Sequence, residues 1–249
     1  MSGYPDLSGK VAIVTGASKK MGRAIALRLA ESGASLVINA KSSAASAAGV
    51  VSEVEQHGGR AISILADVTD PDMVQQMVDR TVSTFGRIDI LVNTVALRHH
   101  APLAETTLTQ WHEVLDSILL SSFLCSKACA SHLVASQGVI VNIGGASAHF
   151  GRRDHAAVMT AKMGLIGLTR ALALDLAPDV VANCLIPGRI GASENRHSDS
   201  PRYPLERIPL ARNGSVEEIA EAVAMLCNPR SRFINAQAIH VSGGMIFGI

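Results

Sequence analysis

The sequence predicts an α/β fold in one domain, residues 1–249: a doubly wound parallel sheet with helices on both faces. Three observations predict it. Seven short β-branched runs alternate with helix-length runs whose apolar spacing is near 3.6. A glycine pair stands where the first strand gives way to the first helix. The chain's 249 residues, 48% of them hydrophobic, can bury one large core, and no repeat or low-complexity tract divides them.

The first run, KVAIVT, places a strand over about Lys10 to Thr15, and TGASKKMGRAIALRLA carries it into a helix near 21–32. Gly16 and Gly22 flank the turn, with Ser18 and Lys19 inside it. Backbone N–H groups at such a helix start, together with the positive end of the helix dipole, hold a pyrophosphate. SLVINA is the second strand and ends in INAKSS, with no acidic residue to accept a ribose 2′-hydroxyl. Lys19 and Lys41 are placed to pair with a 2′-phosphate instead, which favours NADP(H) over NAD(H). A helix near 44–57 leads to RAISILA, and Asp67 and Val68 follow that third strand. A helix near 71–85 precedes IDILVN, which ends at Asn93, and one long helix is expected over 108–135. GVIVNI, a helix over 158–177, VVANCLI, a helix over 216–228 and AIHVSG complete the alternation. The polar stretch GRIGASENRHSDSPRYPLER at 188–207 lies past a strand end, where open α/β sheets place ligands, and reads as a substrate-side flap.

Twenty-two Lys plus Arg against 21 Asp plus Glu leave a net charge of +1, so no overall field calls for nucleic acid or an anionic membrane. The N-terminus has no apolar signal core and no later segment reads as long and apolar enough to span a bilayer, so a soluble, cytoplasmic protein is expected. Cys125, Cys129, Cys184 and Cys227 show no CxxC spacing and read as small core residues. No metal site is expected, since His99 and His100 are adjacent and share no face.

In order along the chain, TGASKKMG, ADV at 66–68, GRIDILVN at 86–93, IVNI at 140–143, Lys162 within AKMGLIGLTRALALDLA, IPGRI at 186–190 and VSGGM at 241–245 resemble the motifs of the short-chain dehydrogenase/reductase family. The resemblance covers nearly all of the chain. It implies a Rossmann-type domain with a seven-stranded sheet, packed into a dimer or tetramer through the helices at 108–135 and 158–177. It also places Gly16, Ser18, Lys19, Gly22, Lys41, Asp67, Val68, Asn93, Lys162, Pro187 and Gly188 along the cofactor.

The catalytic pattern departs from the family. There, a tyrosine four residues before the lysine is the general acid/base, a serine orients the carbonyl and an asparagine supports a proton-relay water; a phenol near pKa 10 needs the lysine beside it on the same helix face. Here those positions carry Val158, Gly145 and Ile118, so only Lys162 remains of the four. Around the cofactor, NTVA at 93–96 replaces NNAG, which puts bulk at Ala96 where a cofactor contact is expected. Lys20 replaces the second loop glycine, and Ala192 the threonine near the carboxamide.

The loops after the fourth, fifth and sixth strands carry Arg98, His99, His100, His149, Arg152, Arg153, Asp154 and His155, a cluster suited to a small carboxylate, phosphate or CoA-type anion. His155, one turn before Val158, is placed to share the cleft with Lys162 and has the pKa for acid/base work. Three functions follow as expectations. The first is a structural or regulatory subunit with a disabled hydride-transfer site, in a homo- or hetero-oligomer beside an active family member. The second is a non-redox isomerase, lyase or hydrolase using His155 and Lys162, and the third is an NADP(H)-dependent ketone reductase with a substitute acid.

Overall fold

The structure is a computed structural model that describes residues 5–191 and 205–246. Its strands are β1 (Val11–Val14), β2 (Ser35–Ala40), β3 (Ala61–Leu65), β4 (Ile90–Asn93), β5 (Val139–Ile143), β6 (Val181–Pro187) and β7 (Ala238–Val241). They form one sheet in the order β3-β2-β1-β4-β5-β6-β7, every pair parallel. From β1 the chain builds outward to β3, then returns to β1's other side with β4. That reversal opens a crevice at the carboxyl ends of β1 and β4, the place where such sheets bind ligands.

Successive residues of a strand point to opposite faces, and both faces here are covered, which is why the strands read as mostly apolar runs. Ala12 and Val14 pack with Ile25, Leu29 and Val223, from α1 (Lys20–Glu31) and the last helix. Ile13 packs on the other face with Met77, Cys125 and Leu133. The helices α2 (Ala44–Gln56) and α3 (Pro71–Phe85) follow β2 and β3; Asp70 caps α3 by accepting from the N–H groups of Asp72 and Met73, and Gly86 ends it at φ +80°. All four cysteines are buried and unbridged, as small core residues should be.

Three local differences from the sequence reading matter for the site. The run expected as one helix over 108–135 is α4 (Leu108–Leu115), a π-helical turn (Asp116–Leu120) and α5 (Ser121–Ser136). A short helix, α6 (Ser147–Phe150), follows β5, and α7 (Ala156–Asp175) starts two residues before the expected 158. The last helix is α8 (Val216–Cys227). The expectation that no segment has the length and apolarity of a membrane span is corrected: Leu108–Ser136 and Ala156–Asp175 reach mean hydropathies of 1.5 and 1.4 over an 18-residue window. Their apolar character has another use, since both lie on the sheet and contribute Cys125, Leu133, Ala173 and Leu165 to its core. Ala192 and most of the 188–207 flap lie outside the described residues; only Leu205–Arg207, a 3-10 turn, is described at its far end.

Candidate active site

The crevice begins at the loop after β1. Gly16 takes the left-handed φ of +62°, and its N–H donates to Asn39 Oδ1 of β2 at 3.2 Å. A Cβ on Gly22 would lie 2.4 Å from the Gly16 carbonyl oxygen, so only glycine lets α1 start this close to the loop. Lys19, at the N-cap, gives no side-chain cap, and the first turn holds no acid. The helix-start amides are therefore left to an anion, and this cradle fits a dinucleotide's pyrophosphate. Ser18 is buried in the loop, while Lys19 and Lys20 are exposed.

On the adenine side, Lys41 does not stand open for a phosphate. Its Nζ pairs with Asp67 Oδ2 at 2.6 Å, joining two residues the sequence assigned separately to the cofactor. Thr69 donates to the same carboxylate through its N–H and hydroxyl. Partial burial raises the Asp67 carboxyl, but the bonds from Lys41 and Thr69 outweigh it and hold it below the usual carboxylate range. Val68 beside it is buried. Asn93 is corrected in a similar way: its side chain turns inward, donating to Asn142 Oδ1 at 2.8 Å, and Asn142 donates to Thr169 Oγ1 at 2.9 Å. This ladder locks β4 to β5 and α7. Pro187 ends β6, and a Cβ on Gly188 would meet Ser242 Cα at 2.6 Å, so the ends of β6 and β7 close tightly there.

The catalytic side is an apolar plug. Val158 is 4% exposed and Ile118 fully buried, and they pack together with Val114, Ala157, Ala161 and Leu165. Ala96 and Trp111 lie against the same cluster, so the extra bulk at 96 goes into the plug rather than into the cofactor path. In the π-helical turn, Ser122 Oγ donates to the Ile118 carbonyl at 2.7 Å, and Ser117 Oγ accepts from Leu97 N–H at 2.9 Å. The backbone groups freed by the turn thus have side-chain partners. Lys162, 4% exposed, donates its Nζ to the Ile143 carbonyl. Burial pushes this amine down to about 8, with the Cys184 thiol opposing the change and the Arg98 guanidinium adding to it. At Gly145 an added Cβ would touch only the Lys162 stem, at 3.7 Å, so the position has room for a side chain it lacks.

The expected cluster of histidines and arginines is dispersed. His99 bonds Glu113 of α4 at 2.8 Å. His100 stacks on His155 with ring centroids 4.0 Å apart. His155 is buried at the start of α7, where Nδ1–H donates to the Arg153 carbonyl at 2.6 Å. His155 and Lys162 are thus each engaged by a main-chain carbonyl of their own. Arg152 and Arg153 are exposed on the preceding loop, and Arg98, also exposed, is the cleft cation whose field reaches Lys162. His149 sets its ring edge-on to His240 of β7 at 4.7 Å. Burial keeps both rings below the ordinary histidine range, and His149 lowers His240 further. The sequence reading missed His240. Its one signal was the parallel register that sets it beside Ile186 at the end of β6.

A family profile described as enoyl-(acyl carrier protein) reductase matches residues 16–246. The chain is 36% identical, over 243 residues, to 3-oxoacyl-(acyl-carrier-protein) reductase of Synechocystis, covering 96% of this chain and 98% of that one. The chain belongs to the short-chain dehydrogenase/reductase family. Two solved members of the family share its fold. A dehydrogenase/reductase from Sinorhizobium meliloti superposes with a TM-score of 0.92 at 35% identity, over 97% of each chain. A short-chain dehydrogenase from Burkholderia cenocepacia, solved with NADP, gives 0.90 at 34% identity over 96% of this chain and 99% of that one. The family thus supplies an oxidoreductase scaffold.

Proposed function

We propose that this short-chain dehydrogenase/reductase binds NADP(H) but does not reduce a ketone by the family's route, and serves as the non-catalytic subunit beside an active reductase of 3-oxoacyl thioesters. The observation that carries the reading is the packed plug around Val158 and Ile118, one helical turn before Lys162. When bound, NADPH supplies a hydride. A ketone that accepts one becomes an alkoxide and needs a proton, and neither valine nor isoleucine holds one to give. Lys162 would hold the nicotinamide ribose, the amides at the start of α1 the pyrophosphate, and exposed Lys19 the 2′-phosphate. The plug's tight packing argues that these positions have been refitted together, since one large-to-small change alone leaves a cavity. Leu120, Phe123 and Met163 expose apolar surface on the helices through which such assemblies pack. The named relatives and the solved NADP complex support the cofactor and an acyl substrate class for this family.

The test is calorimetry with NADPH and NADH, followed by a turnover assay. Micromolar NADPH binding is expected, weakened about tenfold in Lys19→Ala as one phosphate contact is lost. The chain is expected to leave 3-oxoacyl thioesters unreduced, whereas Val158→Tyr, Gly145→Ser and Ile118→Asn together gain turnover. Reduction by the natural chain alone would overturn the reading in favour of a second one, a reductase with a substitute acid. The His100–His155 and His149–His240 pairs favour that alternative, because they place imidazoles at the ends of β4, β5 and β7.

A further inference from the structure

We propose that Lys162 is a carbonyl-capturing amine, which forms an imine with a small aldehyde or unhindered ketone entering past Gly145. Among the described residues Lys162 makes no ion pair, and its Nζ donates to an uncharged main-chain carbonyl, that of Ile143. The Cys184 thiol acts against the loss of its proton, and the cation whose field reaches it, Arg98, favours that loss. A buried ammonium without a counter-charge is costly, and the group escapes by shedding its proton to solvent. The free amine is then a nucleophile, activated as desolvated lysines are. Val158, one turn before it, offers no proton to restore the ammonium and no phenolate to pair with it. Gly145 supplies the opening. A Cβ there would touch nothing but the lysine's own stem, at 3.7 and 4.0 Å, so space for a small group lies directly against it.

The step is balanced without any other reactant. The amine lone pair forms the C–N bond at the carbonyl carbon, the two amine hydrogens leave with the carbonyl oxygen as water, and a C=N bond remains. Nothing is oxidised or reduced, so this chemistry is independent of hydride transfer and goes beyond the reading above. It also gives the substitutions at 145 and 158 a second consequence, one opening the approach and the other freeing the amine.

The experiment is reductive trapping of the full chain with propanal and cyanoborohydride at neutral pH, with sites read by mass spectrometry of the digested protein. Lys162 is expected to be alkylated about a hundredfold faster than exposed Lys19 and Lys41, because far more of it is unprotonated than of an ordinary lysine. Its rate should fall as the pH drops below about 8. Gly145→Val, which fills the opening, should slow trapping at least tenfold with the far-ultraviolet spectrum unchanged. Modification of surface lysines ahead of Lys162, or a Lys162 rate that Gly145→Val leaves unaltered, would overturn the proposal. NADPH affinity is a separate quantity: its absence ends the reading of the previous subsection and leaves the trapping expectation standing.

Discussion

A lysine in an apolar setting can be paired, deprotonated or tolerated at a cost, and among the described residues Lys162 makes no ion pair. Its amine is lowered from 10.5 to about 8 by burial, with Arg98 adding to the effect. The folded chain therefore sheds this proton at a lower pH than the unfolded chain. Between those two values the unfolded state binds more protons, so stability rises with pH across that window, and the cost is present in full below it. Replacing the amine with Lys162→Met should stabilise the protein most below pH 8, with the gain declining by on the order of 3 kcal/mol toward pH 10.5. Urea unfolding of both chains at the two ends of the window measures it, and an equal gain at both would disprove a buried, uncompensated ammonium. The same residue also shows where spacing is informative: its place was legible because the family lysine lies in a long helix pattern. Its freedom was not, because that depends on Ile118 and Ala96, brought beside Val158 by tertiary packing.

At the scale of the element, the phosphate loop combines a required glycine with a tolerated misfit. Gly22 has no alternative, but Lys20 adopts φ +50°, a left-handed conformation that costs a side-chain-bearing residue about 1 kcal/mol. Lys20→Gly is therefore expected to stabilise the chain by up to about 1 kcal/mol, less what glycine's extra freedom in the unfolded state takes back. A raised urea midpoint with an unchanged slope would show it, and a lowered midpoint would mean that the lysine side chain contributes more than its backbone costs. The seven strands were legible because burial leaves mostly apolar, β-branched runs, with the few asparagines inside them buried too. The break between α4 and α5 was not. It is stabilised by Ser117 and Ser122 bonding to backbone groups, and serine occurs in unbroken helices as well. The Lys41–Asp67 pair escaped for a different reason, since it joins the ends of two strands that only the sheet makes adjacent.

For the whole molecule, the two-sided core governs what reagents can reach. Burial pushes the thiols of Cys125 and Cys227 up to about 12 and Cys184 to about 11, and raises Cys129 well above its usual value. Thiolate is the reactive form, so these groups should react with a disulfide reagent only when the fold opens. All four are expected to be titrated in denaturant, and at least about a thousandfold more slowly in the native chain. Rapid labelling of one site would show a locally opening face there. The core also depends on angular phase. Ahead of the π-helical turn, α4 sends Val114 into the cluster around Val158; after it, α5 sends Cys125, Cys129 and Leu133 against β4 and β5. The wide turn sets the rotation between those two faces, each residue of a helix advancing it by about 100°. Loss of a single residue from Asp116–Leu120 would turn all of α5 by that angle, carrying exposed Lys127 toward the sheet and the cysteines away from it. Five residues thus act as the vernier by which one long helix serves two cores.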